Sequence, residues 1–413
     1  MMKKIIYAAV LLAVASGLHA HQVKVPKMGK KLSSRQIVEY LADDALAGRD
    51  GGTSGDTLAC GFIFGQMAKL GLEPQKQVFN VKKGNINTFN VYGSVAGRSG
   101  KYIVVGAHYD HLGMGGPGSG SRRPDTLAVH NGADDNASGV AGMLHLAKRF
   151  AKAGDLEHGI IFVAFGAEER GIVGSKHFAD NLQELVLAEG KSVSVSDIVA
   201  MVNFDMIGNL RGKAITLGGT GTAKEMDHII AQAEHLNGNA LKVTRSPQGH
   251  GPSDHSAFYA KNIPVFYLTT GGTEDYHTPS DDSYKLNYAG LDSVANFAAL
   301  LVEQVQGYPQ GLSFTDTGSP EASPMRAGFK VSLGLMPDVT GQVENGLRAD
   351  IIVKGKPAYK AGMKNGDVIV QVNDIVIKDI EVYMQALGTL KKGEKAIVKV
   401  LRGGEEIVLE VQL

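Results

Sequence analysis

The stretch Tyr102-Ile103-Val104-Val105-Gly106-Ala107-His108-Tyr109-Asp110-His111-Leu112-Gly113 joins a short, β-branched apolar run to an abrupt change of chemistry. A run this short, without polar alternation, reads as a strand buried on both faces, and its end delivers a histidine and an acid to a loop. The pattern recurs along the chain. Ile160 to Phe165 runs into Glu168-Glu169, Ile198 to Phe204 ends in Asp205, and Ile263 to Leu268 precedes a loop carrying His277. Between these strands, Ala137 to Phe150 and Ser175 to Leu182 have helical spacing. Strands alternating with helices predict an α/β sandwich on a mixed, mostly parallel sheet covered on both faces.

Upstream, Ser33 to Leu46 and Thr53 to Leu70 carry helical periodicity on either side of a Gly-rich break at Gly48 to Gly52. Strand-like runs follow at Gln77 to Val81 and Asn87 to Val95, and Gly113 to Gly120 reads as a long Gly-rich loop. Tyr288 to Val305 closes this unit as a helix. From Gly307 to Pro324 periodicity gives way to Gly, Pro, Ser and Thr, the composition of a linker. Beyond it, short strands are predicted at Phe329 to Leu333, Asp367 to Val372, Ala396 to Leu401 and Glu406 to Val411, with helices near Pro357 to Gly362 and Ile380 to Leu390. The predicted organisation is therefore a signal segment over 1–20, a large unit over 30–308, a linker over 309–324 and a small strand-rich unit over 325–413.

Length and composition agree with two folded units: 413 residues exceed what one core usually serves, and 43% apolar with 20% charged residues is ordinary for globular chains. Forty-two basic residues balance forty-two acidic ones, so no net field favours a polyanion, and nucleic acid is not an expected partner. Lys3 and Lys4 before the apolar run Ile5 to Val14, ending at Leu18-His19-Ala20, read as a cleavable export signal. That run is too short to span a bilayer, so the mature chain is expected to be exported, periplasmic or secreted, without a membrane anchor. Cys60 is the sole cysteine, which excludes an intramolecular disulfide.

Histidines and carboxylates at successive strand ends point to metal binding, because ligands gather at the carboxyl edge of open α/β sheets. Mixed nitrogen and oxygen donors suit zinc, and two histidines with several carboxylates exceed what one tetrahedral ion needs. The donor surplus points to two metals.

The stretches GAHYDHLG, NGADDNASG, FGAEERGIVGS, NFDMIG, SDHSAF and YHTPSDD, in this order and spacing, resemble the bacterial secreted di-zinc aminopeptidases, whose fold is shared with glutamate carboxypeptidases and glutaminyl cyclases. The resemblance runs from Leu41 to Gln306 and includes LADDALAGRDGGTSG. It implies a three-layer zinc-exopeptidase sandwich that hydrolyses N-terminal residues from a peptide substrate using two zinc ions. It places His108 and Asp205 on one zinc, Glu169 and His277 on the other, and Asp134 as the bridge, with a cis bond at Asp134-Asp135. Glu168 is then the general base, and Asp110 orients the imidazole of His108. Tyr276 either supports the developing oxyanion or packs locally, and Asp281, with Asp282, either orients His277 or caps the next segment. His111, His130, His250 and His255 are expected to be non-ligands, with His111 along the cleft and His255 shaping the pocket. The rival readings are a carboxypeptidase or a glutaminyl cyclase-like enzyme on the same fold, and a receptor-like protein without catalysis; Arg170, Arg211 and Arg245 are the cations a carboxypeptidase would draw on.

Residues Phe329 to Leu413 resemble a PDZ domain of bacterial periplasmic proteases, on SLGL at Ser332, Leu333, Gly334 and Leu335 and on PAYKAGMKNGDVIVQVND from Pro357 to Asp374. The resemblance implies that the SLGL backbone holds the terminal carboxylate of a protein or peptide C-terminus.

Overall fold

The computed structural model describes residues 32–82, 84–187, 190, 192–318, 331–337, 343, 345–353, 355–378 and 380–413. The export signal and most of the second half of the linker lie outside these residues. The N-terminal part builds from α1 (Ser34–Leu41), α2 (Ser54–Leu70), β1 (Gln75–Val81), β2 (Ile86–Val95), β3 (Tyr102–His108), α3 (Gly139–Phe150), β4 (Gly159–Phe165), α4 (Val173–Asp180) and β5 (Ile198–Phe204). It continues through β6 (Ala214–Gly218), α5 (Met226–Leu236), β7 (Lys242–Arg245), α6 (His255–Tyr259), β8 (Val265–Thr269) and α7 (Tyr288–Val305).

The eight strands lie in the order β1-β2-β4-β3-β5-β8-β6-β7. The centre, β4-β3-β5-β8, is parallel, while β1, β2 and β6 join antiparallel. Period-two alternation splits each central strand between two cores. Ile103, Val105, Ala107, Ile160, Phe162 and Ala164 pack with α1, α2, α3, α5 and α7, whereas Val104, Ile161, Val163 and Phe165 pack with α4 and α6. The result is the expected three-layer sandwich with a mixed, mostly parallel sheet. It sends the carboxyl ends of β3, β4, β5 and β8 to one edge, where the chain leaves as loops.

Two helix boundaries shape the site. The first helix stops at Leu41 rather than Leu46, because Asp43 caps a separate 3-10 segment over Asp44–Arg49. Within that segment Ala47, Gly48 and Arg49 all have left-handed φ, at 46°, 71° and 50°. Thr53 then caps α2 by accepting the N–H of Asp56. The sequence reading did not include β6, β7 and α5, which form the far edge of the sheet and its cover.

The C-terminal part is a separate sheet with its own core: β9 (Leu335–Pro337), β10 (Leu347–Ile352), α8 (Pro357–Lys360), β11 (Val368–Val372), β12 (Ile375–Val376), α9 (Ile380–Thr389), β13 (Lys395–Arg402) and β14 (Glu405–Gln412). The order is β14-β13-β11-β10-β9, with β12 paired to β11. Of the strand expected at Phe329 to Leu333, residues 329 and 330 lie outside the described residues, 331–333 form no strand, and β9 begins at Leu335; β10 was not anticipated. Among the described residues no helix is long and apolar enough to cross a membrane.

Candidate metal centre

At the carboxyl edge of the sheet, β3 ends on His108, whose imidazole is buried. Its Nε2 lies 3.3 Å from Asp135 Oδ1 and 3.4 Å from Asp205 Oδ1. The other oxygen of Asp135 lies 3.1 Å from His277 Nε2, which is also 3.1 Å from Glu169 Oε2. One carboxylate therefore sits between two sets of donors: His108 with Asp205 on one side, and His277 with Glu169 on the other. His111 joins the second set, with Nδ1 2.9 Å from Glu169 Oε1 and 3.8 Å from Asp135 Oδ2.

Three expectations change here. The central acid is Asp135 and not Asp134, and the cis bond is Asp135-Asn136. Asp134 turns the opposite way, accepting Gly208 N at 2.7 Å, Asn209 Nδ2 at 2.7 Å and Ser138 Oγ at 3.2 Å. Its work is to tie the loop before α3 to the turn after β5. The carboxylate of Asp110 lies 3.7 Å from His108 Nδ1, too far for a hydrogen bond, and the ring donates instead to the Asp110 carbonyl at 3.2 Å. The Asp110 carboxylate accepts the N–H groups of Glu168 at 2.9 Å and Glu169 at 3.3 Å, fixing the turn after β4. Asp281 does not reach His277; its carboxylate takes the N–H groups of Asp134 and Asp135.

Strand ends bend sharply to deliver these groups. Ala167, Met206 and His277 hold left-handed φ of 56°, 56° and 54°, a conformation non-glycine residues adopt at a cost and that clusters at functional sites. The ring of Tyr276 stacks on His277 with centroids 3.8 Å apart. His277 Nδ1 donates to the Gly120 carbonyl, so the Gly-rich loop positions that imidazole. His130 bonds Ser121 and the Ala128 carbonyl, and buried His255 stacks on Tyr267, both without joining the donor sets.

Electrostatics follow from gathering acids in a buried place. Burial pushes Glu168 well above the usual carboxylate range, with Glu169, Asp254 and Asp205 reinforcing it against His108. Burial likewise takes Asp110 to about 7 and Asp254 to about 6. Burial alone would lower the two histidines, but Asp205 and Glu168 leave His108 well above its ordinary value, and Glu169 with Asp135 carries His277 to about 11. Asp135, although buried, is held well below the usual range by the close imidazoles of His108 and His277. Such a set wants cations. His108 Nε2, His111 Nε2 and Asp205 Oδ1 are buried without a hydrogen-bond partner, and the groups His108-Asp135-Asp205 and His111-Asp135-Glu169 each converge at metal-holding distances. Nitrogen and carboxylate donors in this proportion fit zinc.

The cations considered for a substrate carboxylate are largely committed. Arg170 makes a bidentate pair with Asp50, with Nη2 2.6 and 2.7 Å from its oxygens, and Arg245 pairs with Asp227 and Glu234. Sequence reasoning missed Arg49, Asp50 and Asp254 as site neighbours; the only signal for the first two was their place in the LADDALAGRDGG stretch.

Fold and centre together define a zinc-exopeptidase sandwich. The model of peptidase family M28 matches residues 90–302, more than half of the chain, and a PDZ domain model matches 331–413. The chain belongs to peptidase family M28 and carries a C-terminal PDZ domain. Over 188 residues it is 32% identical to aminopeptidase YwaD of Bacillus subtilis, an alignment covering 43% of this chain and 38% of that protein. The chain thus spans well under half the length of that relative. Among solved structures it is similar to BSAP, a zinc aminopeptidase from Bacillus subtilis, with a TM-score of 0.54 at 18% identity over 66% of this chain and 94% of that one. It is equally similar to the glutaminyl cyclase of Porphyromonas gingivalis, with a TM-score of 0.54 at 18% identity, covering 66% and 96%.

Proposed function

We propose that this chain is a zinc-dependent aminopeptidase with two metal positions, His108, Asp205 and Asp135 holding one ion and Asp135, Glu169 and His277 the other. The observation that carries the reading is the division of Asp135 between two donor sets, at 3.3 Å from His108 and 3.1 Å from His277. Zinc held there supplies Lewis acidity, making a water more acidic and polarising the scissile carbonyl. Glu168 is in neither metal-holding group, is partly exposed, and its raised proton affinity suits a base that accepts a proton from water and passes it to the leaving amine. Tyr276, fixed by stacking on His277, offers its hydroxyl to the oxyanion. His111 braces Glu169.

Cleavage from the N-terminus is favoured because Arg170 and Arg245 are occupied by carboxylates. Arg122, beside Tyr276, donates to the Glu274 and Tyr276 carbonyls, which leaves Arg211 as the cation a carboxypeptidase would draw on. The peptidase unit over 30–308, the linker over 309–324 and the PDZ unit over 325–413 are read as separate folds, exported by the leader over 1–20. In the PDZ unit Leu335 opens β9, an edge strand, and the carbonyls of Leu333 and Gly334 are tied to Ala358 N and Val353 N. Ser332 to Leu335 therefore form an anchored turn beside an edge that is unpaired among the described residues, suited to a peptide's terminal carboxylate.

The test uses one peptide in free, N-acetylated and C-amidated forms, plus a glutamine-initiated peptide. Release from the free and amidated forms only supports the proposal. Release from the acetylated but not the amidated form establishes a carboxypeptidase, and ring closure of the N-terminal glutamine without hydrolysis establishes a cyclase.

A further inference from the structure

The structure assigns Arg49 the role of a positioning residue for the metal centre: its buried guanidinium clamps the loop carrying His108 and Asp110 to the loop carrying Asp135. The assignment rests on the metal centre proposed above. Arg49 is fully buried, and no carboxylate hydrogen-bonds it. Instead it donates to main-chain carbonyls of three segments: Nε to Tyr109 at 2.7 Å, Nη1 to Leu41 and Asn131 at 2.5 Å each, and Nη2 to Gly132 at 3.0 Å. Tyr109 follows His108 directly, and Gly132 lies three residues before Asp135. These two loops supply the bridge and one histidine of the centre, and the guanidinium is the side chain that joins their main chains.

The chemistry requires arginine. A planar fork with five N–H donors can serve four carbonyls at once, whereas a lysine ammonium offers three donors from a single point. The rest of the segment braces the same place. The Gly48 carbonyl accepts Gly113 N at 3.1 Å, and a Cβ on Gly48 would stand 2.4 Å from Gly113 O and 2.7 Å from His130 O, so only glycine lets the two loops approach. Asp50 holds Arg170 next to Glu169, and Asp56 accepts the Tyr109 hydroxyl at 2.6 Å. Residues 48–56 precede the part of the chain matched by the family model, which begins at residue 90. The buried positive charge also faces Asp110, Asp281, Asp135 and Glu169, so it lowers the cost of assembling those acids.

The experiment prepares full-length wild type, Arg49→Ala and Arg49→Lys free of metal. It measures far-UV circular dichroism, zinc affinity by chelator competition, the visible spectrum after cobalt loading, and recovery with ethylguanidine. Ala at position 49 keeps the Cβ and so leaves the φ of 50° equally demanding, which confines the change to the guanidinium. The expected result is a native dichroism spectrum with zinc held about 10–100-fold more weakly in Arg49→Ala, the range for residues that support ligands without binding metal. Arg49→Lys should show a smaller loss and an altered cobalt spectrum, and ethylguanidine should restore affinity to Arg49→Ala alone. Wild-type zinc affinity in a folded Arg49→Ala overturns the inference while leaving the metal centre standing. Failure of both variants to fold also overturns it, since the side chain would then be a determinant of the fold. If wild type itself takes up no zinc, the proposed function fails first and this inference with it.

Discussion

The carboxylate of Asp281 accepts the backbone N–H of Asp135 at 3.0 Å, so the acid at the middle of the centre is held through its main chain by a residue from the loop after β8. The same carboxylate takes the Asp134 N–H at 3.0 and 3.1 Å, and the Asp281 carbonyl accepts Ala133 N at 3.1 Å. His277 lies four residues before Asp281, so one loop both supplies a donor and orients Asp135. Asp281→Ala leaves two buried N–H groups unpaired, each worth about 1–3 kcal/mol. It is expected to lower zinc affinity about 10–100-fold and reduce the melting temperature; chelator competition and calorimetry check both. Wild-type zinc binding in this variant would show that the loop before α3 holds its shape unaided.

Asp134 and Asp135 are adjacent, identical in type and both buried, yet the structure gives them unrelated tasks. Asp135→Ala removes the carboxylate shared by both donor sets and is expected to reduce bound zinc below one equivalent and abolish turnover. Asp134→Ala leaves Gly208 N and Asn209 Nδ2 without their acceptor, so it should cost about 1–3 kcal/mol of stability while zinc is retained. Elemental analysis of the two purified variants separates these outcomes. Zinc loss confined to Asp134→Ala would reverse the assignment.

The exchange between these two acids shows what a single sequence conceals. His108 and Asp205 were legible as donors where apolar runs stop, and Glu169 and His277 as donors in the loops that follow two more such runs. Which of two consecutive aspartates faces inward depends on the backbone of the loop before α3, which follows neither strand nor helix periodicity and leaves no mark in residue type. His111 matches no ligand position of the family resemblance, and its 2.9 Å approach to Glu169 is a tertiary contact. Arg49 was hidden for another reason. All its acceptors are main-chain carbonyls, which every residue possesses, so no partner residue betrays it. The edge strand β7 escaped because Lys242 to Arg245 is exposed or half-exposed and carries little apolar pattern.

Glu168 is held beside the donor sets through its backbone, by the Asp110 carboxylate at 2.9 Å, and not through its own carboxyl group. Glu168→Gln therefore preserves the turn and the donors while removing the proposed base. Zinc content is expected to match wild type, and kcat should fall about 10²–10⁴-fold with little change in KM. Steady-state kinetics on the metal-loaded variant check this. Near-wild-type turnover would remove Glu168 from the chemistry, and loss of zinc would make it a ligand.

In the PDZ unit, buried Asp367 accepts Arg402 Nε and Nη2 at 2.7 Å each, and the Lys364 N–H at 2.8 Å. Although burial works the other way, these hydrogen bonds hold its carboxyl below the usual range. A carboxyl depressed in the folded state binds its proton more readily when unfolded, so the stability it contributes is present above the ordinary aspartate value, roughly pH 4. As pH falls through that value and on to the lower folded one, this contribution disappears. The ion pair joins the start of β11 to the end of β13, two neighbouring strands of the sheet. Asp367→Asn should therefore unfold the PDZ unit at lower denaturant near neutrality and flatten its acid limb below about pH 4. Urea titrations of the full chain at several pH values, read through the PDZ transition, measure both effects. Parallel pH profiles for wild type and Asp367→Asn would show that the pair leaves the acid sensitivity of this sheet to other carboxylates.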